Sequence, residues 1–539
     1  MNFRHFFSLI LIILSLSAFS SKELLTVAER TDFKETSLNK DVFEFITQLE
    51  KTSEYIKIEN IATSYFGNQV PMMIIANPMP ESYKDIKNDD RMVIYIQANI
   101  HAGEIEGKEA SLMFARDLLK DPNSELLKKL IILITPNFNP DGNDQISDKN
   151  RTNQNGPNAV GLRHNGMQLD INRDGLKLET PELQGLIKNV FITWDPALTV
   201  DCHTTNGSYH EEPITFTWQV NPNGDRKLIN YMRDQMMPSV NKDLKNKYDV
   251  ENCYYGNFMD RTKPEKGWIF YAAAPRYLTN YIGIRNRFAI LNENYVYADY
   301  KTRVMGCYYL LKTIAEYAAE NAKEMKAQIT RADKETIARG IKPALTDSFA
   351  VQYKGQPTPE KIQIKAIEAE VYRMDNGWRR YRPTNRKRTV TVDYIADYLP
   401  TKQVKFPYAY IIDKKDKAIL ENLKGHGIEV KELKTDIELE VIGYEFEEIK
   451  PNERLNQGHY TNKTKGKYVK ETKLFKKGSY IVTLDQKLAN VAAYLLEAES
   501  EDSLLTWNYF DRYLIAQWGS RIYPYPVYKL MEPTKLKLK

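Results

Sequence analysis

In the N-terminal half of the chain, short apolar runs recur with a shared kind of ending. Met92 to Ile100, Leu130 to Thr135, Ala197 to Cys202 and Phe288 to Leu291 are strand-length, and each stops at polar or ligand-type side chains: His101, Asn137, His203 and Glu293. Between them, Gly107 to Leu119 and Pro181 to Phe191 have helical character. This alternation predicts an α/β unit with a mixed, mainly parallel sheet and helices on both faces. Open sheets of that kind bind ligands beyond the carboxyl ends of their strands, so the four endings predict one shared crevice. From Tyr308 to about Ile337, a stretch rich in Ala, Glu, Lys and Leu predicts one or two helices closing this unit, with a boundary near residues 338–350. Farther on, Tyr408 to Leu433 has the pattern strand, helix, strand, and Tyr480 to Ser500 that of strand then helix, predicting a second, smaller α/β domain. The polar stretch Glu453 to Lys477 predicts an exposed hairpin or loop. The expected division is a signal peptide over 1–20, a catalytic domain over 21–340 and a C-terminal accessory domain over 350–539.

Length and composition agree with this division. A chain of 539 residues exceeds the size at which one core stops growing, and 42% hydrophobic with 27% charged residues excludes a mainly disordered or fibrous chain. The formal charge of +5 arises from interspersed residues of both signs, so no nucleic-acid partner is expected. At the N-terminus, a short basic start, an apolar run from Phe6 to Leu16 and small residues around Ala18 to Ser21 predict a secretory signal peptide. The run is shorter than the roughly 20 residues needed to cross a bilayer, so a periplasmic or extracellular protein with no stable membrane span after cleavage is expected. With three cysteines, Cys202, Cys253 and Cys307, a complete disulfide framework is impossible. Cys202, beside His203 but without CxxC spacing, reads as a small buried residue rather than a sulfur ligand.

The chemistry begins at His101-Ala-Gly-Glu104, where a histidine and a glutamate three residues apart at a strand end are spaced to chelate one cation. Catalytic zinc takes three protein ligands and keeps a position for water, so a third ligand is required. His203 suits that role best because, like His101, it closes a predicted strand; His164 and His210 compete for it from polar loops.

The ordered set His101-Ala-Gly-Glu104, Asn139-Pro-Asp-Gly142, Leu169-Asp-Ile-Asn172-Arg173, His203 and Glu293 resembles the zinc carboxypeptidase family typified by pancreatic carboxypeptidases, over roughly residues 40 to 320. The resemblance implies that His101, Glu104 and His203 hold one zinc ion per chain, and that Asn172 and Arg173 grip the terminal carboxylate of a peptide or protein substrate. It further implies that Glu293 is the general base for a metal-activated water. Arg151 would polarise the scissile carbonyl, with Arg163 as a nearby competitor. A mobile tyrosine, Tyr271, Tyr277 or Tyr281, and a side-chain pocket within Cys253 to Tyr281 are implied as well. A planar guanidinium suits a carboxylate, although Asp174 would repel one if it shared the pocket. The implied activity is hydrolysis of C-terminal peptide bonds. Cleavage of cell-wall peptide amides on the same scaffold is the alternative, and a non-catalytic peptide-binding protein a more distant one.

Overall fold

The computed structural model describes residues 23–515 and 522–539. The expected signal peptide lies outside the described residues. Among the described residues, no helix is long and apolar enough to cross a membrane.

The first half contains β1 (Ile56–Thr63), β2 (Gln69–Ile75), β3 (Met92–Ala98), β4 (Leu130–Thr135), β5 (Leu198–Thr205), β6 (Ile214–Trp218), β7 (Asn252–Tyr254), β8 (Asn257–Phe258), β9 (Trp268–Ile269) and β10 (Phe288–Tyr295). Eight of these form one sheet in the order β1-β2-β4-β3-β5-β10-β6-β7. Its centre, β4-β3-β5-β10, is parallel, while β2 joins β4 and β6 joins β10 antiparallel, giving the mixed sheet expected. Both faces are covered, which is why these strands are so apolar. Ile94, Ile96, Leu198, Val200 and Ile290 pack toward residues of the helices Glu106–Lys120 and Tyr300–Glu320, among them Leu112, Phe114 and Leu311. Val93, Tyr95, Leu133 and Ala289 pack on the opposite side with Leu183, Leu186, Val190 and Ile282. Each such aliphatic side chain contributes about 1.5–3 kcal/mol by leaving water.

Two strands run past their apolar stretches. β5 continues to Thr205 and β10 to Tyr295, so His203 and Glu293 lie inside strands rather than after them. The ladder persists because polar side chains at the strand ends serve it: Asn294 Nδ2 donates to the His203 carbonyl at 2.9 Å and Asn292 Nδ2 to that of Thr215 at 3.3 Å. Hydrophobicity stops earlier because one face of the sheet opens into a cleft there.

The second half is built mostly from antiparallel strands. β11 (Ser348–Pro357), β12 (Ile362–Arg373), β13 (Arg379–Val392) and β14 (Tyr394–Lys405) come first. β14 pairs antiparallel with β11 and parallel with β9, so this small sheet draws strands from both halves. Then β15 (Ala409–Ile412), β16 (Lys431–Glu432), β17 (Ile437–Pro451), β18 (Asn462–Phe475), β19 (Tyr480–Thr483) and β20 (Val527–Leu530) form a six-stranded antiparallel sheet accompanied by the helices Lys417–Gly425 and Ala489–Leu496. The polar stretch Glu453–Lys477 holds the turn of the β17–β18 hairpin and β18 itself, an exposed element as its composition predicts. One buried apolar cluster runs from Tyr95 and Leu133 on the first sheet to Tyr410, Val482 and Leu495.

The last helix of the first half, Ala322–Ile341, touches the second half at Gly340. A Cβ there would lie 1.7 Å from the Leu484 carbonyl oxygen, which is backbone and cannot swing aside. Gly340→Ala is therefore expected to destabilise the protein by about 1–3 kcal/mol, the usual cost of overpacking, despite alanine's better helix propensity. Urea unfolding measures this, and a neutral or stabilising result would show that the two halves do not meet at this glycine.

Candidate functional site

At the carboxyl ends of the parallel strands, three acceptor atoms meet. His101 Nδ1 lies 3.1 Å from Glu104 Oε2, His203 Nδ1 lies 3.0 Å from the same oxygen, and the two Nδ1 atoms are 3.1 Å apart. Local structure accounts for each position. His101 follows β3, and the Glu104 N–H closes a turn onto the His101 carbonyl at 2.8 Å, so both side chains leave one turn just ahead of the helix Glu106–Lys120. Gly107 lets that helix press on β5, since a Cβ there would come within 2.4 Å of Cys202 Cβ. His203 and Glu293 are register partners across β5 and β10, so they project side by side from one sheet face.

Each imidazole is oriented from behind by a carboxylate. His101 Nε2 is 2.8 Å from Asp170 Oδ1, and His203 Nε2 is 2.9 Å from Asp201 Oδ2. With the proton held on Nε2, each Nδ1 turns a lone pair inward. Two imidazole lone pairs and a carboxylate oxygen at such distances repel one another unless a proton or a metal cation lies among them. The spacing is close to the ~3.3 Å edge of a tetrahedron of zinc–ligand bonds. The donor set therefore fits zinc.

The charges around this point are strongly coupled. Burial disfavours ionised Glu104, but the neighbouring His101 and Arg151 outweigh it and hold the carboxyl well below its usual range. Burial likewise works against a charged His203, yet Asp201 and Glu104 raise its proton affinity well above normal, and the same carboxylates favour any other cation bound there. Burial pushes the Glu293 carboxyl up to about 8, with His203 opposing the rise and Glu104 adding to it.

His101, Glu104, Asn172, Arg173, His203 and Glu293 all line one cavity of about 280 Å³, together with Arg163. Arg151 stands behind them: its side chain is 9% exposed against 37% for Arg163, and both donate to Glu104 Oε1, at 2.9 and 3.1 Å. Arg173 stacks 4.4 Å from the Tyr277 ring centroid, while Asn172 Oδ1 accepts from the Leu278 N–H at 3.0 Å, leaving its amide nitrogen toward His203. Among the three tyrosines, Tyr271 and Tyr277 line the cavity, whereas Tyr281 is fully buried with its hydroxyl 2.8 Å from His426 Nδ1. Asp174 does not share the pocket. It is completely buried, paired with Lys177 at 2.8 Å and accepting from the Glu179 and Thr180 N–H groups. Of the histidines that compete with His203, His164 is half-buried outside the ligand triangle, and His210 lies with Glu212 and Cys253 in a separate cluster. Cys202 is a free, buried thiol, as its context predicts.

Asp170 and Asp201, which hold the two histidines from behind, are not singled out as site residues by the sequence patterns alone. Each sits two positions before a recognised residue, Asn172 or His203, which in β5 places Asp201 on the same face as His203. The second half also reaches the site. Gln457, in the β17–β18 turn, accepts from the Asp170 N–H at 2.8 Å, and His459 Nε2 meets Glu179 Oε1 at 2.8 Å. Asn422 and Tyr509 bond the Lys177 carbonyl from the same side. The loop carrying Asn172 and Arg173 is thus clamped by residues distant in sequence.

Fold and geometry together define an α/β protein with a buried cluster of two histidines and one glutamate, able to hold a metal ion, at the carboxyl edge of its parallel strands. Residues 42–197 match the zinc carboxypeptidase family, so this stretch of the chain is similar to that family. The matched stretch includes His101, Glu104, Asn172 and Arg173; His203 and Glu293 lie beyond it. The chain is similar to Carboxypeptidase 2 of Trichophyton rubrum, 26% identical over 141 residues that cover 25% of this chain and 22% of that protein. The match thus spans less than a quarter of that relative's length. Carboxypeptidase 2 of Trichophyton equinum is 20% identical over 469 residues, covering 82% of this chain and 78% of that protein. Solved structures that resemble it include a metallo-carboxypeptidase from Burkholderia cenocepacia, with 13% identity, 52% of this chain and 69% of that one covered, and a TM-score of 0.39. Carboxypeptidase A from Helicoverpa armigera has 15% identity, with 54% and 75% covered and a TM-score of 0.40.

Two predictions follow from these contacts. Asp201→Asn removes the carboxylate behind His203 and is expected to weaken zinc binding about 10–100-fold, read by competition with a chromogenic chelator; an unchanged affinity would sink the orienting role. The second concerns pH. The bond to Glu179 raises His459 above its ordinary value, against burial and the nearby Lys177. A raised histidine stabilises the fold fully below its unfolded pKa of about 6.5, and that stabilisation is lost as pH rises through the folded value. Amide exchange in the 452–461 turn, corrected for intrinsic rates, should accelerate across that window, and His459→Gln should abolish the pH dependence.

Proposed function

We propose that this chain is an exported, zinc-dependent metallocarboxypeptidase that hydrolyses the C-terminal bond of peptides or proteins. The observation that carries this reading is the meeting of His101 Nδ1, His203 Nδ1 and Glu104 Oε2 within 3.1 Å of one another, beside the buried carboxyl of Glu293. Zinc, when bound, supplies Lewis acidity toward the scissile carbonyl and the attacking water.

The remaining work falls to side chains. Burial raises Glu293 to about 8, and positive charge held by the adjacent His101, Glu104 and His203 would favour its carboxylate form, in which it takes a proton from water and delivers it to the leaving amine. Arg173, held flat on Tyr277, offers a planar guanidinium to the terminal carboxylate, with the amide nitrogen of Asn172 alongside. Oxyanion stabilisation falls to the Arg151–Arg163 pair, in which both guanidiniums grip Glu104 Oε1 and Arg163 faces the cavity. The cavity wall beyond these groups includes Tyr255, Phe270, Ala272, Leu291 and Asn280, none of them charged, which favours an uncharged C-terminal residue. The buried pairing of Asp174 with Lys177 removes the charge that weighed against a plain terminal carboxylate. Residues 350–539 serve as an accessory unit that braces the Asn172–Arg173 loop.

The test is digestion of a mixed peptide library followed by mass spectrometry. Single-residue trimming from C-termini, richest for uncharged residues and abolished by chelation, is expected. Glu293→Gln should lower kcat by about 10²–10⁴ while zinc content stays at the wild-type level. If zinc binds but no peptide is trimmed, the carboxypeptidase reading fails, and release of amino acids from cell-wall peptides under the same conditions would take its place.

A further inference from the structure

Away from the cleft, the loop between β5 and β6 carries a second convergence of ligand-type side chains. The ligand atoms of His210, Glu212 and Cys253 lie within 4.8 Å of one another, and all three residues are buried. Cys253 is on β7 at the edge of the main sheet, as the register partner of Thr215. The loop itself is stitched to β12: Glu211 N–H donates to the Lys365 carbonyl at 2.9 Å, and Glu212 Oε1 accepts from the Lys365 N–H at 2.8 Å. Stacking on Tyr295, with ring centroids 3.9 Å apart, and an edge contact with Trp268 hold the His210 ring in one orientation.

The arrangement is incomplete as it stands. His210 Nδ1 and Glu212 Oε2 are both buried without a hydrogen-bond partner, on side chains only 2% and 4% exposed. They face each other at 3.4 Å, too long for a good hydrogen bond. Two orphaned polar atoms at one point are costly in a folded protein, on the order of 1–3 kcal/mol each. A separation of 3.4 Å is, however, the edge of a tetrahedron with bonds of about 2.1 Å, the length of zinc–nitrogen and zinc–oxygen bonds. Charge supports the same ion. A thiolate, a carboxylate and a neutral imidazole around a dication sum to zero, which suits a site with no other buried countercharge in the trio.

We propose that His210, Glu212 and Cys253 form a second metal site, separate from the cleft, that takes a thiolate-accepting divalent cation such as zinc. Its role is structural. Metal there joins the segment after His203, the edge strand β7 and, through Glu212, the base of the β12–β13 hairpin, reinforcing the backbone bonds and the Lys365–Glu251 and Lys387–Glu211 ion pairs that already link them. The thiol proton leaves to solvent as the sulfur–metal bond forms, so no oxidant or reductant is involved.

Cobalt(II) titration of the full chain separates this site from the cleft, because only this one contains sulfur. A thiolate-to-cobalt absorption band in the near ultraviolet is expected in the wild-type protein. It should persist in His203→Ala, which disables the cleft site and hydrolysis, and vanish in Cys253→Ser, along with one equivalent of bound zinc. Absence of the band at cobalt saturation, or its survival in Cys253→Ser, overturns the proposal whatever the outcome for peptide hydrolysis. Should Cys253→Ser fail to fold, Glu212→Gln, which retains an acceptor for the Lys365 N–H, is the second variant: cobalt affinity at this site should drop by about tenfold or more, and an unchanged affinity overturns the assignment.

Discussion

Three acceptor atoms held about 3 Å apart are mutually repulsive, and the architecture around them is organised to keep them there. Two of the three come from histidines whose outer nitrogens are fixed by Asp170 and Asp201, and the third from a glutamate whose other oxygen is gripped by Arg151 and Arg163. Adjacent parallel strands then set Glu293 beside His203 with no freedom to slip, since a one-residue shift in register would send one of the two side chains to the opposite face. A cation turns this repulsion into attraction, which is the physical sense in which the site is made for metal.

The cost of that arrangement appears in the groups behind it. Asp170 is buried, and the hydrogen bond from the His101 ring together with the Arg163 and Arg173 guanidiniums holds its carboxyl well below the usual range against the penalty of burial. Removing one partner would leave this buried charge with weaker compensation, which is costly in a low-dielectric interior. The polar residues near the centre therefore act as one network rather than as separate contacts.

The second half of the chain is part of that support. Gln457 bonds the backbone of Asp170, His459 pairs with Glu179, and Asn422, His426 and Tyr509 bond the Leu176 and Lys177 carbonyls. Lys177, fully buried, is shared by Asp174 and Glu179 and lies near the Trp507 ring. The loop that carries Asn172 and Arg173 is consequently rigid at its base. The role of terminal-carboxylate anchor proposed for Arg173 needs this, because a guanidinium free to wander would have to be ordered by the substrate at each encounter.

Much of the site was legible in the sequence because the chemistry sits where the hydrophobic pattern breaks. His101, His203 and Glu293 each end an apolar run, and strands of a buried parallel sheet are apolar until they reach the cleft. The alternation of strands and helices likewise determined the mixed sheet with covered faces. Other features depended on contacts between residues far apart in the chain, which no local pattern encodes. The backing of the histidines by Asp170 and Asp201, the inward turn of Asp174 toward Lys177, the position of Arg163 at the cavity and Arg151 behind it, and the burial of Tyr281 away from the cleft are of this kind. So is the antiparallel character of the second half, where strand order follows from which faces and edges meet rather than from periodicity. Periodicity along the chain determined which segments are strands and helices and where each one stops being apolar; which carboxylate meets which histidine was decided only by packing, because that pairing is a property of three-dimensional proximity.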